Sequence, residues 1–199
     1  MNPEKPPIFP PRPFARLAVP ALLVCAVIAA ACGGTGYTAQ YSNGTQPFTV
    51  HAISGTPLDF GNAIDISTQS VVRVDGSFAF DVAFDIDTAG RIVLLPVTVV
   101  GQNPSGNRSV GIQVTTQQYD AITQAPLTGY MVDTATVVSI GQAAIVQAQE
   151  NACSLAITPY MYAKLVVDSI DRPTRTIYGR ALMNINCGFR MLTTGIPGS

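Results

Sequence analysis

The chain has 199 residues, 47% of them hydrophobic and only 12% charged, with a formal net charge of -1 from 11 Lys+Arg and 12 Asp+Glu. That balance lacks the basic footprint nucleic-acid backbones require, and the hydrophobic content excludes a disordered polyelectrolyte. A single histidine excludes clustered-His metal sites and leaves His51 as the one imidazole open to a Ser-His-Asp arrangement.

Residues 1–16 set Lys5, Arg12 and Arg16 against Glu4 and include Pro3, Pro6, Pro7, Pro10, Pro11 and Pro13, a basic and extended leader rather than a folding unit. Residues 17–31, LAVPALLVCAVIAAA, form an uncharged apolar run of 15 residues. That length suits the hydrophobic region of a signal peptide and falls short of the roughly 20 residues needed to span a bilayer. The run ends in Ala29, Ala30 and Ala31, followed by Cys32, Gly33 and Gly34. This arrangement resembles the lipobox of bacterial lipoproteins over residues 1–34, with Ala29 where leucine is commonest. The resemblance implies that residues 1–31 are a signal peptide and that Cys32 carries a diacylglyceryl group. With Gly33 next, it also implies an outer-membrane anchor in the cell envelope, the domain facing the periplasm or the cell surface. Two alternatives remain for the same residues: ordinary signal-peptidase cleavage at the Ala-x-Ala sequence, and retention of residues 17–34 as an uncleaved anchor. Cys25, behind the bulky Val24, reads as filler.

If Cys25 leaves with the signal and Cys32 takes the lipid, Cys153 and Cys187 remain. In an oxidising envelope they read as one disulfide, with two buried thiols as the alternative. Their spacing is not CxxC and gives no support to redox catalysis.

Residues 33–47, GGTGYTAQYSNGTQP, carry no charge and little aliphatic content. Residues 32–47 are therefore expected to be the lipidated cysteine and a flexible tether, and residues 48–199 a single domain. Within it, strands are expected at residues 49–53, 63–67 and 71–74. The clearest alternation is at 78–86, where Phe78, Phe80, Val82, Phe84 and Ile86 interleave with Ala79, Asp81, Ala83 and Asp85. Turn residues 87–90 lead into a returning strand at 91–100, and Pro96 inside it predicts an edge strand or a bulge. Further strands are expected at 109–116, 134–140, 143–149, 160–170 and 176–186. Gly141 and Gln142 are read as a hairpin turn, and residues 171–175 as another. No segment after residue 32 shows a capped helical period. The expected class is all-β, an antiparallel β-sandwich, with a small barrel as the alternative.

Asp81, Asp85 and Asp87 fall on one strand face and read as solvated. Asp85 and Asp87, roughly 6.6 Å apart at strand spacing, are the only pair close enough for paired-carboxylate chemistry. Residues 85–90, DIDTAG, also resemble the opening of a calcium loop, which makes Asp85 and Asp87 weak metal candidates; Ala89 replaces the third oxygen ligand and Pro96 stands where the closing glutamate belongs. His51 has no motif supplying a nucleophile, and no G-x-S-x-G elbow occurs. Tyr37, Tyr41, Tyr119, Tyr130, Tyr160, Tyr162 and Tyr178 include candidates for a glycan or protein platform. Asp168, Asp171, Arg172, Arg175 and Arg180 read as charge pairs around the last hairpin. Asn43-Gly44-Thr45 and Asn107-Arg108-Ser109 match a glycosylation acceptor and also read as turns.

The expected function is that of a non-catalytic envelope lipoprotein, a structural, scaffolding or binding module that needs no cofactor. Its expected partners are the membrane, through the lipid anchor, and an envelope protein or glycan. A carbohydrate- or ligand-binding module, calcium-assisted or not, is the alternative, and a hydrolase the third.

Overall fold

The computed structural model describes residues 38–57, 59–75, 78–101, 108–156 and 158–198. The leader, Cys32 and Tyr37 lie outside them. Two antiparallel sheets form a sandwich, and neither closes into a barrel. The first contains β1 (Thr45–His51), β6 (Val110–Val114), β7 (Met131–Val132), β9 (Ala143–Gln149), β10 (Tyr160–Asp171) and β11 (Thr176–Asn184), in the order β1-β11-β10-β9-β6-β7. The second contains β2 (Ala63–Asp65), β3 (Ser70–Val72), β4 (Val82–Ile86), β5 (Ile92–Pro96) and β8 (Thr136–Val138), in the order β3-β2-β4-β5-β8.

The space between the sheets is filled by branched and aromatic side chains, among them Val50, Phe80, Phe84, Leu94, Ile112 and Ile177, none more than 1% exposed. Phe48 and Phe84 meet across the sheets with ring centroids 5.3 Å apart. A second apolar cluster covers the outer face of the six-stranded sheet. Residues 119–125 and Leu192 lie over Ala143, Ile145, Tyr162, Val166 and Leu182, and the Gln124–Met191 bridge joins the two covering segments. β10 therefore loses water on both faces, which explains why it reads as a nearly unbroken apolar run. Its one interior charge, Lys164, lies 4% exposed beneath this cover. The ammonium donates to Tyr119 O at 3.0 Å and Ile122 O at 2.8 Å and sits 4.5 Å from the centre of the Tyr119 ring. Burial lowers its pKa, and the two carbonyls hold its protons.

Four local expectations need correction. β5 lies inside its sheet, between β4 and β8, rather than at an edge. Its last β8 partner is Leu94, so Pro96 closes the strand where that neighbour has ended. Residues 97–100, expected to continue the strand, form a short helix, α1 (Val97–Val100), which Gly101 ends at φ +75°. Pro96 has no ladder donor and Gly101 reverses the chain cheaply, so branched Val97, Val99 and Val100 adopt a turn they do not favour. Gly141 and Gln142 do not close a hairpin: β8 pairs with β5 and β9 with β6 and β10, so the turn carries the chain from one sheet to the other. The order also begins earlier than Phe48. Gln40 and Tyr41 donate to Asn186 Oδ1 at 2.8 and 2.9 Å, and Asn43 pairs with Gly195.

Cys153 and Cys187 form a disulfide with Cα atoms 5.3 Å apart across a sequence separation of 34. It joins the turn after β9 to the loop after β11. Replacing both cysteines by alanine should lower stability by roughly 3 to 4 kcal/mol in the chain-entropy account, read as a fall in the urea midpoint.

Candidate functional site

The site with the strongest electrostatics is one the sequence did not single out. Asp65 at the end of β2, Asp81 just before β4 and Glu150 just after β9 bring carboxylate oxygens within 4.8 Å of one another. Their exposures are 3%, 0% and 5%. Arg108, 4% exposed, enters from the segment before β6 and pairs its Nη2 with Asp81 Oδ1 and, at 2.7 Å, with Glu150 Oε1. Ile66 N donates to Asp81 Oδ2 at 2.7 Å, while Ser67 N and Oγ, at 2.9 and 2.8 Å, and Thr68 Oγ1, at 3.1 Å, donate to Asp65.

One guanidinium faces three carboxyl groups, so the cluster carries an excess of negative charge wherever all are ionised. Burial drives the response: desolvation raises Asp81 to about 6, against the opposing pull of Arg108. Desolvation and then the Asp81 charge raise Glu150 to about 7. The two groups titrate together, and a proton shared between their carboxyls relieves the repulsion. The cation this arrangement supplies to its carboxylates is Arg108. Chemically the cluster is an ion-pair junction that links β2 and β4 of one sheet to β6 and β9 of the other.

The carboxylates that were singled out serve a different place. Asp85 and Asp87 line a cleft of about 410 Å³ with Ser54, Gly55, Ile86, Thr88 and Arg175. Asp85 accepts from Ser54 N at 3.1 Å, Ser54 Oγ at 2.6 Å, Ile86 N at 2.8 Å and Arg175 Nη2 at 3.2 Å. Three of those donors converge on Oδ1 and one on Oδ2, which fixes the carboxylate against the turn. Asp87 accepts from Ala89 N at 3.0 Å, Arg91 N at 2.8 Å and Arg91 Nε at 2.7 Å, and the bonds from Arg91 hold its pKa below the usual value. Both aspartates thus accept hydrogen bonds that shape the turn. Arg175 sits at φ +52°, and its guanidinium ties together Ser54 O at 2.5 Å and Ile86 O at 2.6 Å. Arg172 adds a bond to Gly90 O at 3.2 Å, so two hairpin tips are joined through arginine.

Asp81, expected on a solvated face with Asp85, is instead buried, because the face opposite Phe80 and Val82 meets Arg108 rather than water. His51 Nδ1 lies 3.2 Å from Thr176 Oγ1 and its ring 4.5 Å from Phe60, with no carboxylate among the described residues placed to orient it. Tyr119 and Tyr162 are buried and Tyr130 and Tyr160 pack against the same cluster. Of the described tyrosines, Tyr41 and Tyr178 are exposed, on separate elements. Asn43 is 4% exposed and its amide donates to Met191 O and Thr193 O, a turn-building role. Asp168 and Arg180 pair at 3.1 Å in the open, and such a pair contributes little.

Among the described residues no helix is long and apolar enough to cross a membrane. No family model, curated protein or solved structure matches the chain. What the fold and site define is an antiparallel β-sandwich pinned at one end by a disulfide and a buried four-charge junction.

The junction makes stability depend on pH. Between the ordinary carboxyl pKa values and the raised folded ones, the folded chain holds more protons than the unfolded chain, so the junction's contribution to stability is full below about pH 4 and is lost as pH rises to about 7, by about 1.4 kcal/mol per pH unit for each extra proton held. Denaturant midpoints from pH 5 to 8 should show that decline, and Glu150→Gln should flatten it. Arg108→Met strands the carboxylates; it should cost roughly 3 to 5 kcal/mol at pH 8 and distinctly less at pH 5, where protonation replaces the lost cation.

Proposed function

We propose that this chain is an exported lipoprotein, anchored through Cys32, whose single β-sandwich acts as a non-catalytic structural, scaffolding or binding module of the cell envelope. The observation that carries this reading is the Cys153–Cys187 bond. Disulfides persist in oxidising compartments, and the apolar run at residues 17–31 followed by Cys32 supplies the export route. The state of the carboxylates supports a role without catalysis: Asp85 and Asp87 organise turns, and Asp81 and Glu150 are shut inside the junction with Arg108. A second reading, a binding module for a small polar ligand or glycan, is favoured by the cleft beside Arg175, whose 410 Å³ falls within the usual range of ligand sites.

Intact mass of the protein extracted from native membranes tests the first reading. The expected species begins at Cys32, carries acyl chains, gains about two daltons on reduction of one disulfide, and loses its acyl mass in a Cys32→Ala variant. A soluble, unacylated species overturns the anchor.

A further inference from the structure

Strand register sorts the exposed side chains by end. β10 and β11 run from a tip at residues 172–175 to an opposite end where Tyr162 pairs with Asn184. At the tip end lie Asp85, Asp87, Arg91, Asp171, Arg172 and Arg175, gathered by the arginine bonds to Gly90 O and Ile86 O.

The opposite end is where the chain enters the fold. Asn186 accepts from Gln40 N and Tyr41 N and returns a bond to Tyr41 O at 2.8 Å. The disulfide brings the 151–156 turn to the same place, and Gly195 pairs with Asn43. α1 belongs here too: Pro96 lies opposite Val82, and Asp81 next to it shares Arg108 with Glu150, beside Gln149 and its partner Tyr160. Residues 38–46, 97–101, 151–156, 184–189 and 193–198 build this end and contain no Asp, Glu, Lys or Arg. Beneath it lie the buried charges of Asp65, Asp81, Arg108 and Glu150, and charged neighbours at its rim include Arg190, which donates to Ala125 O, and Asp133, which accepts from Val110 N. Exposed on it are Tyr41 at 55%, Val99 at 41%, Leu155 at 89% and Ile196 at 62%.

We propose that this uncharged end is a second membrane contact, seated at the boundary of headgroups and acyl chains in the bilayer that holds the anchor. The proposal rests on the lipoprotein reading for its geometry. Thr38 follows Cys32 by six residues, a leash of at most about 20 Å. So short a leash keeps this end, and not the charged tip, beside the bilayer. An uncharged surface sheds water without ion desolvation, and tyrosine with aliphatic side chains suits the interfacial layer. With no lysine and only Arg190 at the rim, the contact needs no anionic lipid. The cleft beside Arg175 then points away from the membrane, toward other envelope components.

The chain has no tryptophan, so a single introduced one reports its own surroundings. Leu155→Trp and Ile196→Trp, both at exposed positions, are compared with Thr88→Trp at the charged tip, in the full chain reconstituted in phosphatidylcholine vesicles with brominated acyl chains. The expected result is blue-shifted emission at positions 155 and 196, quenched several-fold more strongly than at position 88. Equal or absent quenching in protein whose mass carries the acyl chains overturns the contact and leaves the anchor standing. Preferential quenching at 155 and 196 in protein without acyl chains upholds the contact and overturns the anchor. Neither acyl mass nor quenching overturns both.

Discussion

Strand β10 is withdrawn from water on both sides, with Met161, Ala163, Leu165 and Val167 in the inter-sheet core and Tyr162 and Val166 beneath the outer cover. A strand buried this way needs every backbone group paired and every polar side chain satisfied, because an unmet polar group there costs more than a hydrogen bond returns. β9 and β11 supply the ladder on either edge. The segment after β6 and the C-terminal segment supply the cover, and Lys164 fastens that cover by bonding the carbonyls of Tyr119 and Ile122. The same cover draws residues 191–195 back toward Asn43, so the entry point of the chain is tied to its far end.

The junction of Asp65, Asp81, Glu150 and Arg108 adds direction to a sandwich otherwise held by apolar contact. Attraction inside a buried pair is offset by the desolvation of its ions, so its net contribution to stability is small even though loss of one member is costly. Apolar packing tolerates sliding, whereas a guanidinium between two carboxylates meets them at one angle. The junction joins both sheets near the disulfide, which holds the turn that carries Glu150: Cys153 N donates to Glu150 O at 3.0 Å. Covalent and ionic constraints thus reinforce one end of the molecule.

The exposed segments of that end carry no charge, the four ions of the junction being buried beneath them, and the two properties have a common origin. Its polar groups are consumed internally, by Asn43, Asn184 and Asn186 bonding to backbone and to one another. The charged residues gather instead at the hairpin tips, where arginine binds the turns of separate hairpins and solvation is cheap.

Strand positions were legible because alternation and branched side chains are local properties. Phe78 to Ile86, residues 143–149 and residues 160–170 all fall where the structure places β4, β9 and β10 or their approach. The disulfide was legible through cysteine parity. Sheet membership was not, since residues 141–142 look the same whether they close a hairpin or cross between sheets. Nor was the junction: Asp65 and Asp81 stand out as acids inside the apolar runs AIDI and FAFDVAF, but Glu150 and Arg108 lie in unremarkable turns. By itself the sequence determined the period of each strand, the cysteine pair and the apolar run at residues 17–31, all set by covalent order and near neighbours. Only the tertiary structure decided which strands share a sheet, that Asp81 is buried rather than solvated, and which end exposes segments without charge, because these depend on groups distant in the chain meeting where water is excluded.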